Sequence, residues 1–126
     1  MVQQEVRQYE LQARSTDTFG RVLCSARTHH FVVDGPIQNG CPGEAITPSE
    51  LFLSGIAACG VELVQVLART QQVPLQAAMV SIRGVIDPSK PVRPEVSLFN
   101  AVRLHFHLKG VTQEQGARLI EAFKRR

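Results

Sequence analysis

The chain has 126 residues, enough for one domain that buries a core without disulfide or metal staples. Hydrophobic residues at 44% and charged residues at 20% are ordinary globular composition and exclude a disordered chain. Fourteen basic residues, eleven of them Arg, oppose eleven acidic ones for a net +3. They are scattered, and with no Trp and one Tyr the chain lacks the clustered charge and stacking aromatics of a nucleic-acid reader.

No apolar stretch reads as long and unbroken enough for a transmembrane helix. The polar opening Gln3, Gln4, Glu5, Arg7 and Gln8 lacks the apolar core of a secretory signal. A cytoplasmic protein without a membrane partner is therefore expected. The three cysteines, Cys24, Cys41 and Cys59, are odd in number and match no zinc spacing. Neither a disulfide framework nor a bound metal or cofactor is expected.

Residues 2–14 are polar with weak alternation and predict an edge strand. Residues 14–20, with Ser15, Thr16, Asp17, Thr18 and Gly20, predict a turn. Two short strands follow over 21–24 and 31–34, then a Gly/Pro-rich loop over 35–47. Thr47 is a good N-cap, Pro48 suits the first helical position, and Glu50 completes a capping box. From Leu51 to Leu67 apolar residues fall on every face, which predicts a helix buried all round by a wrapping sheet, a partner subunit, or both. Its middle is small: Ser54, Gly55, Ala57, Ala58, Cys59 and Gly60. Gly55 and Cys59 share a face, which suggests close helix–helix approach.

A strand over 77–86, a loop over 87–94 with three prolines, and an alternating strand over 97–108 come next. Val102, Leu104, Phe106 and Leu108 face inward, and Arg103, His105, His107 and Lys109 outward. Thr112 and Gln115 form a second capping box before a short amphipathic helix, whose C-terminal end carries Lys124, Arg125 and Arg126. The order is α+β rather than alternating βαβ.

Cys59 is the first candidate for chemistry. Its plain reading is a small core hydrophobe. It lies twelve positions past the cap, beyond reach of the helix dipole, so a reactive thiolate there needs a cation from elsewhere, such as an Arg. Glu50 is the second candidate, with the capping box as its plain reading. Nine residues put it on the opposite helix face from Cys59, whereas Ser49 lies nearer that face. Cys41, beside Pro42 and Gly43, reads as an exposed loop cysteine or a second redox thiol, and Cys24 as strand packing. His105 and His107 could bind a metal, but a solvated basic face fits them better. His29 and His30 point to opposite faces of a strand. No phosphate loop, catalytic triad or dinucleotide fingerprint is present.

Phe31-Val32-Val33-Asp34-Gly35-Pro36, Pro42-Gly43-Glu44, Thr47-Pro48-Ser49-Glu50-Leu51-Phe52-Leu53 and Ala57-Ala58-Cys59 resemble the OsmC/Ohr family of bacterial organic hydroperoxide-resistance proteins. The resemblance is stronger to the general OsmC-like branch than to Ohr proper. It implies a single OsmC-like domain over 1–126, in an intertwined homodimer whose two central helices are wrapped by antiparallel sheets. It implies a thiol peroxidase that reduces organic hydroperoxides at the expense of an external thiol or dithiol. Cys59 matches the peroxidatic position. Arg21 matches the Arg that steadies the thiolate, with Arg14 next in line, and Glu50 matches the Glu of the Pro-x-Glu-Leu motif. Two family features are missing. The orienting Glu ten residues before the Cys is replaced by Ser49, and the C-terminal strand with its resolving Cys-Pro would lie past Arg126. A non-catalytic dimer that holds a small hydrophobic or thiol ligand in its cleft, and a dimer with no small-molecule role, are the other readings.

Overall fold

A computed structural model describes residues 5–95 and 98–125. The elements run β1 (Gln12–Ser15), β2 (Arg21–Ala26), β3 (His29–Asp34), α1 (Pro48–Thr70), β4 (Ala77–Val85), β5 (Ala101–Lys109) and α2 (Gln113–Phe123). The class is α+β, with two antiparallel sheets and two α-helices among the described residues. The chain divides into two compact units, Met1–Leu51 and Phe52–Arg126.

The first unit holds the three-stranded sheet β1-β2-β3. Its strands pair in simple register, Ala13 opposite Cys24 and Cys24 opposite Phe31. The edge strand is shorter than the alternation predicts. Residues 5–11 have no regular structure, and Val2, Gln3 and Gln4 lie outside the described residues. Val6, Tyr9 and Leu11 are exposed and find no apolar surface, so weak alternation there earns no pairing. Strands β2 and β3 instead extend towards each other to close a two-residue turn at Arg27 and Thr28.

In the second unit β4 and β5 pair over their full length, from Ala77 opposite Lys109 to Val85 opposite Ala101. The predicted start of β5 at Ser97 lies outside the described residues, and the described strand begins at Ala101. Val80 and Phe106, opposite one another, lie against Gly60 of α1. Leu67, Ala68 and Leu119 form the buried centre, packed round by Leu75, Leu108, Val111 and Phe123. Phe106 meets Phe123 edge to face at 5.3 Å. Helix α2 begins at the capping box read from the sequence: Thr112 accepts from the Gln115 N–H at 3.1 Å, and Gln115 accepts from the Thr112 N–H at 3.0 Å. Arg126 lies outside the described residues.

Two readings of α1 need correction. The helix is not buried all round within its own chain. Gly60, Val64, Leu67 and Ala68 form one buried stripe, while Phe52 and Val66 are exposed. And its 23 residues are, by length and composition alone, long and apolar enough to cross a membrane. The core helix of a soluble protein passes the same test. The scattered polar residues that argued against a span are too few to lower the average.

Replacing Thr112 by Ala removes one bond of the reciprocal cap. It is expected to cost about 1 kcal/mol of stability, read as a lower urea midpoint at unchanged slope.

Candidate active site

In the first unit the hairpin register sets Arg21, the first residue of β2, directly opposite Asp34, the last of β3. The Arg21 guanidinium meets the Asp34 carboxylate in a fork: Nε donates to Oδ1 at 2.8 Å and Nη2 to Oδ2 at 3.0 Å. Nη2 also donates to Glu44 Oε1 at 2.7 Å. Asp34 is fully buried. A buried carboxylate is costly unless every oxygen is satisfied. Oδ2 meets that demand by also accepting the backbone N–H groups of Glu44 at 3.0 Å and Ala45 at 2.8 Å.

Asp34 therefore fixes the guanidinium and the start of the helix approach together. The Arg21 hydrogen bonds hold its carboxyl well below the usual carboxylate range, against the opposing pull of desolvation. Arg21 is held above its usual value, first by Asp34 and then by Glu44. Glu44 is exposed, so its contact is the more easily released of the two.

The loop between β3 and α1 closes over this group. The Gly35 N–H donates to the Gly20 carbonyl at 2.8 Å, and the Asp34 N–H to that of Ile46 at 3.0 Å. The Cys41 side chain lodges against Gly20 and Gly35, where a Cβ on either glycine would overlap the thiol. Gly20 also takes a φ of +81°, which only glycine adopts cheaply. Cys41 is thus half-buried packing, not the exposed loop cysteine that its Pro and Gly neighbours suggested.

Glu50 sits in its capping box. Its Oε1 accepts from the Thr47 N–H at 3.0 Å and from the Thr47 hydroxyl at 2.9 Å, and its own N–H donates to Thr47 Oγ1 at 3.3 Å. Those bonds hold its carboxyl below the usual range. Thr47 is the one side-chain partner of Glu50 among the described residues, and Glu44 rather than Glu50 reaches Arg21. Ser49 is exposed.

In the second unit Cys59 lies on α1 and is exposed, which corrects the expectation of a buried thiol. It belongs to a stripe of exposed residues, Phe52, Gly55, Cys59, Glu62 and Val66, spaced three or four apart down the helix. The neighbouring Gly60 begins the buried stripe. Helical periodicity thus puts the thiol one position away from the core and turns it outward.

The remaining candidates fall elsewhere. Arg14 pairs in register with Leu23 on the edge strand, while Arg21 takes the carboxylates. Cys24 is half-buried in β2. The His105 and His107 rings stand 4.4 Å apart on the outer face of β5. Among the described residues no three His, Cys, Asp or Glu side chains gather to hold a metal ion. Asp34 and Glu44 are the residues that sequence reasoning passed over. Both stood within quoted motifs, but their convergence on Arg21 depends on hairpin register.

The model of a family described as OsmC-like protein matches residues 41–126, well over half of the chain. Comparison with curated proteins gives no match. Among solved structures, an OsmC-like protein from Mycoplasma pneumoniae superposes with a TM-score of 0.80 at 15% identity, over 95% of this chain and 82% of that one. An organic hydroperoxide resistance protein from Elizabethkingia anophelis, with thiocyanate bound, gives 0.78 at 18% identity, over 98% and 85%. An organic hydroperoxide resistance protein OsmC from Legionella pneumophila gives 0.74 at 22% identity, over 97% and 85%.

Replacing Asp34 by Asn removes the charge that Arg21 and two backbone N–H groups are arranged around. It is expected to lower the melting temperature at pH 7 by at least about 5 °C. Because the folded-state pKa of Asp34 is depressed, its contribution is full above the unfolded value, about 3.9, and is lost as pH falls through the folded one. Thermal melts of both proteins should therefore differ by a constant amount above about pH 5 and draw closer as pH falls below 4, with a gap still open at pH 3.

Proposed function

This chain belongs to the OsmC-like family, and from that premise we propose that it is a homodimeric thiol peroxidase that reduces organic hydroperoxides. Cys59 is the peroxidatic thiol, and Arg21 its electrostatic partner. The observation that carries this reading is an Arg21 guanidinium already oriented by two carboxylates, the kind of cation that an exposed Cys59 thiol needs as a partner. The orienting role that Ser49 cannot fill is taken by Asp34 and Glu44. That two similar structures are organic hydroperoxide resistance proteins supports the same reading.

The chemistry balances with a thiol reductant. The Cys59 thiolate attacks one peroxide oxygen, the O–O bond breaks, and the departing alkoxide takes a proton from solvent to leave as an alcohol. Cys59 is left as a sulfenic acid. A first external thiol condenses with it to a mixed disulfide and releases water. A second thiol then attacks, frees Cys59, and carries away the disulfide. Arg21 stabilises thiolate and leaving oxygen, and its geometry suits two oxygen or sulfur acceptors at once. Glu50 acts by holding the start of the helix that bears Cys59.

The dimer rests on the exposed stripe of α1. A helix so apolar with Phe52 and Val66 in water is under-buried in a single chain. A second copy supplies the missing cover, and the small residues Gly55 and Ala58 permit close approach. Equilibrium sedimentation is expected to give twice the chain mass.

Cumene hydroperoxide consumption with a dithiol reductant tests the activity. Turnover is expected for the natural chain and its complete loss for Cys59→Ser. Arg21→Met is expected to lose about a hundredfold or more in kcat/KM, and to melt lower because it leaves the buried Asp34 carboxylate without its ion pair; the rates are compared well below that melting temperature. The same variant should also slow Cys59 alkylation at pH 7. Equal rates with and without Cys59 would overturn the assignment. A folded dimer without turnover, but with a ligand held beside Cys59, would favour a binding role.

A further inference from the structure

The three-stranded sheet carries a second polar cluster that the chemistry above does not use. By register Gln12 stands opposite Ser25, and Ser25 opposite His30, while Arg14 stands opposite Leu23. Alternation puts these side chains on one face of the sheet. Together with Arg27 they line an open groove of about 610 Å³. Four residues along β2 separate Ser25 from Arg21, roughly 13 Å of strand, so this is a different place from the Arg21 group.

Three features point to a ligand. First, Arg14 and Arg27 both line the groove, and among the described residues neither is in an ion pair. No carboxylate lines the groove. Glu10 lines an adjoining hollow that shares Gln12, Ser25 and Arg27, and pairs with neither Arg.

Second, Arg27 takes a φ of +57° at the first position of the hairpin turn. Gly is favoured at such a position, and an L-residue there costs about 1–2 kcal/mol. A long cationic side chain held at that cost, beside another unpaired Arg, calls for a reason beyond the turn.

Third, Ser25 Oγ and His30 Nδ1 lie 2.8 Å apart. If the hydroxyl donates, the ring keeps an N–H at Nε2. If the ring donates, the hydroxyl hydrogen is released. Either tautomer leaves one further donor for a guest.

Two guanidinium forks, one amide and one hydroxyl–imidazole pair offer more donors than a carboxylate's two oxygens need. They match a tetrahedral group with three peripheral oxygens. We infer that this groove is a binding site for a phosphoryl group, either inorganic phosphate or the end of a phosphate monoester.

The test is calorimetric titration of the natural chain with inorganic phosphate at constant ionic strength, with no hydroperoxide present. It is repeated for Arg27→Gly and Arg14→Gln. Saturable binding is expected, weakened about tenfold or more in each variant. Arg27→Gly should bind less while melting no lower than the natural chain, because Gly adopts the turn freely. A destabilising loss of fold therefore cannot mimic the result. Glycerol 3-phosphate identifies the source: tighter binding than inorganic phosphate assigns the group to a larger molecule, and equal binding assigns it to the free ion. Absence of saturation, equal binding by both variants, or acetate binding as well as phosphate would each overturn the inference.

Discussion

The first unit depends on one buried charge. Asp34 has no access to water and accepts four hydrogen bonds, two from Arg21 and two from backbone N–H groups of the following loop. Each donor serves a different structural need. The guanidinium gains a fixed direction, the loop gains an anchor at Glu44 and Ala45, and β3 gains a definite end. Remove the charge and all three lose their common partner, because a buried donor without an acceptor costs more than the bond was worth. The loop then delivers Thr47, whose cap with Glu50 starts α1. A single ion pair thus connects the sheet to the start of the helix that carries the thiol.

Local signals in the sequence were accurate where the physics is local. Thr47, Pro48 and Glu50 specify a helix start within four residues, and Thr112 with Gln115 does the same for α2. The alternation of β5 correctly turned His105 and His107 outward and Leu104 and Phe106 inward. The same kind of signal failed at residues 5–11, because alternation predicts a strand only when there is a surface to pair with or bury against.

The site was less legible because its parts meet through register and burial. Arg21 and Asp34 are thirteen residues apart, and nothing in their local context says they face one another. Only the two-residue turn at Arg27 and Thr28 fixes that pairing. Glu50 drew attention through its motif, yet its carboxylate is occupied at home, and Glu44 makes the contact with Arg21. Cys59 was read as buried because the helix is apolar on every face. Composition cannot say which of those faces the chain's own sheet covers, and the covered one starts at Gly60.

The three thiols also differ in access. Cys59 is exposed, while Cys24 is half-buried in a strand and Cys41 is half-buried against two glycines. A maleimide added in slight excess under native conditions would distinguish them by rate alone. The natural sequence, without any cysteine removed, therefore offers one preferred attachment point for a dye or spin label. That point is on the stripe of α1 left uncovered by its own chain, so a probe there would report directly on the approach of a second copy.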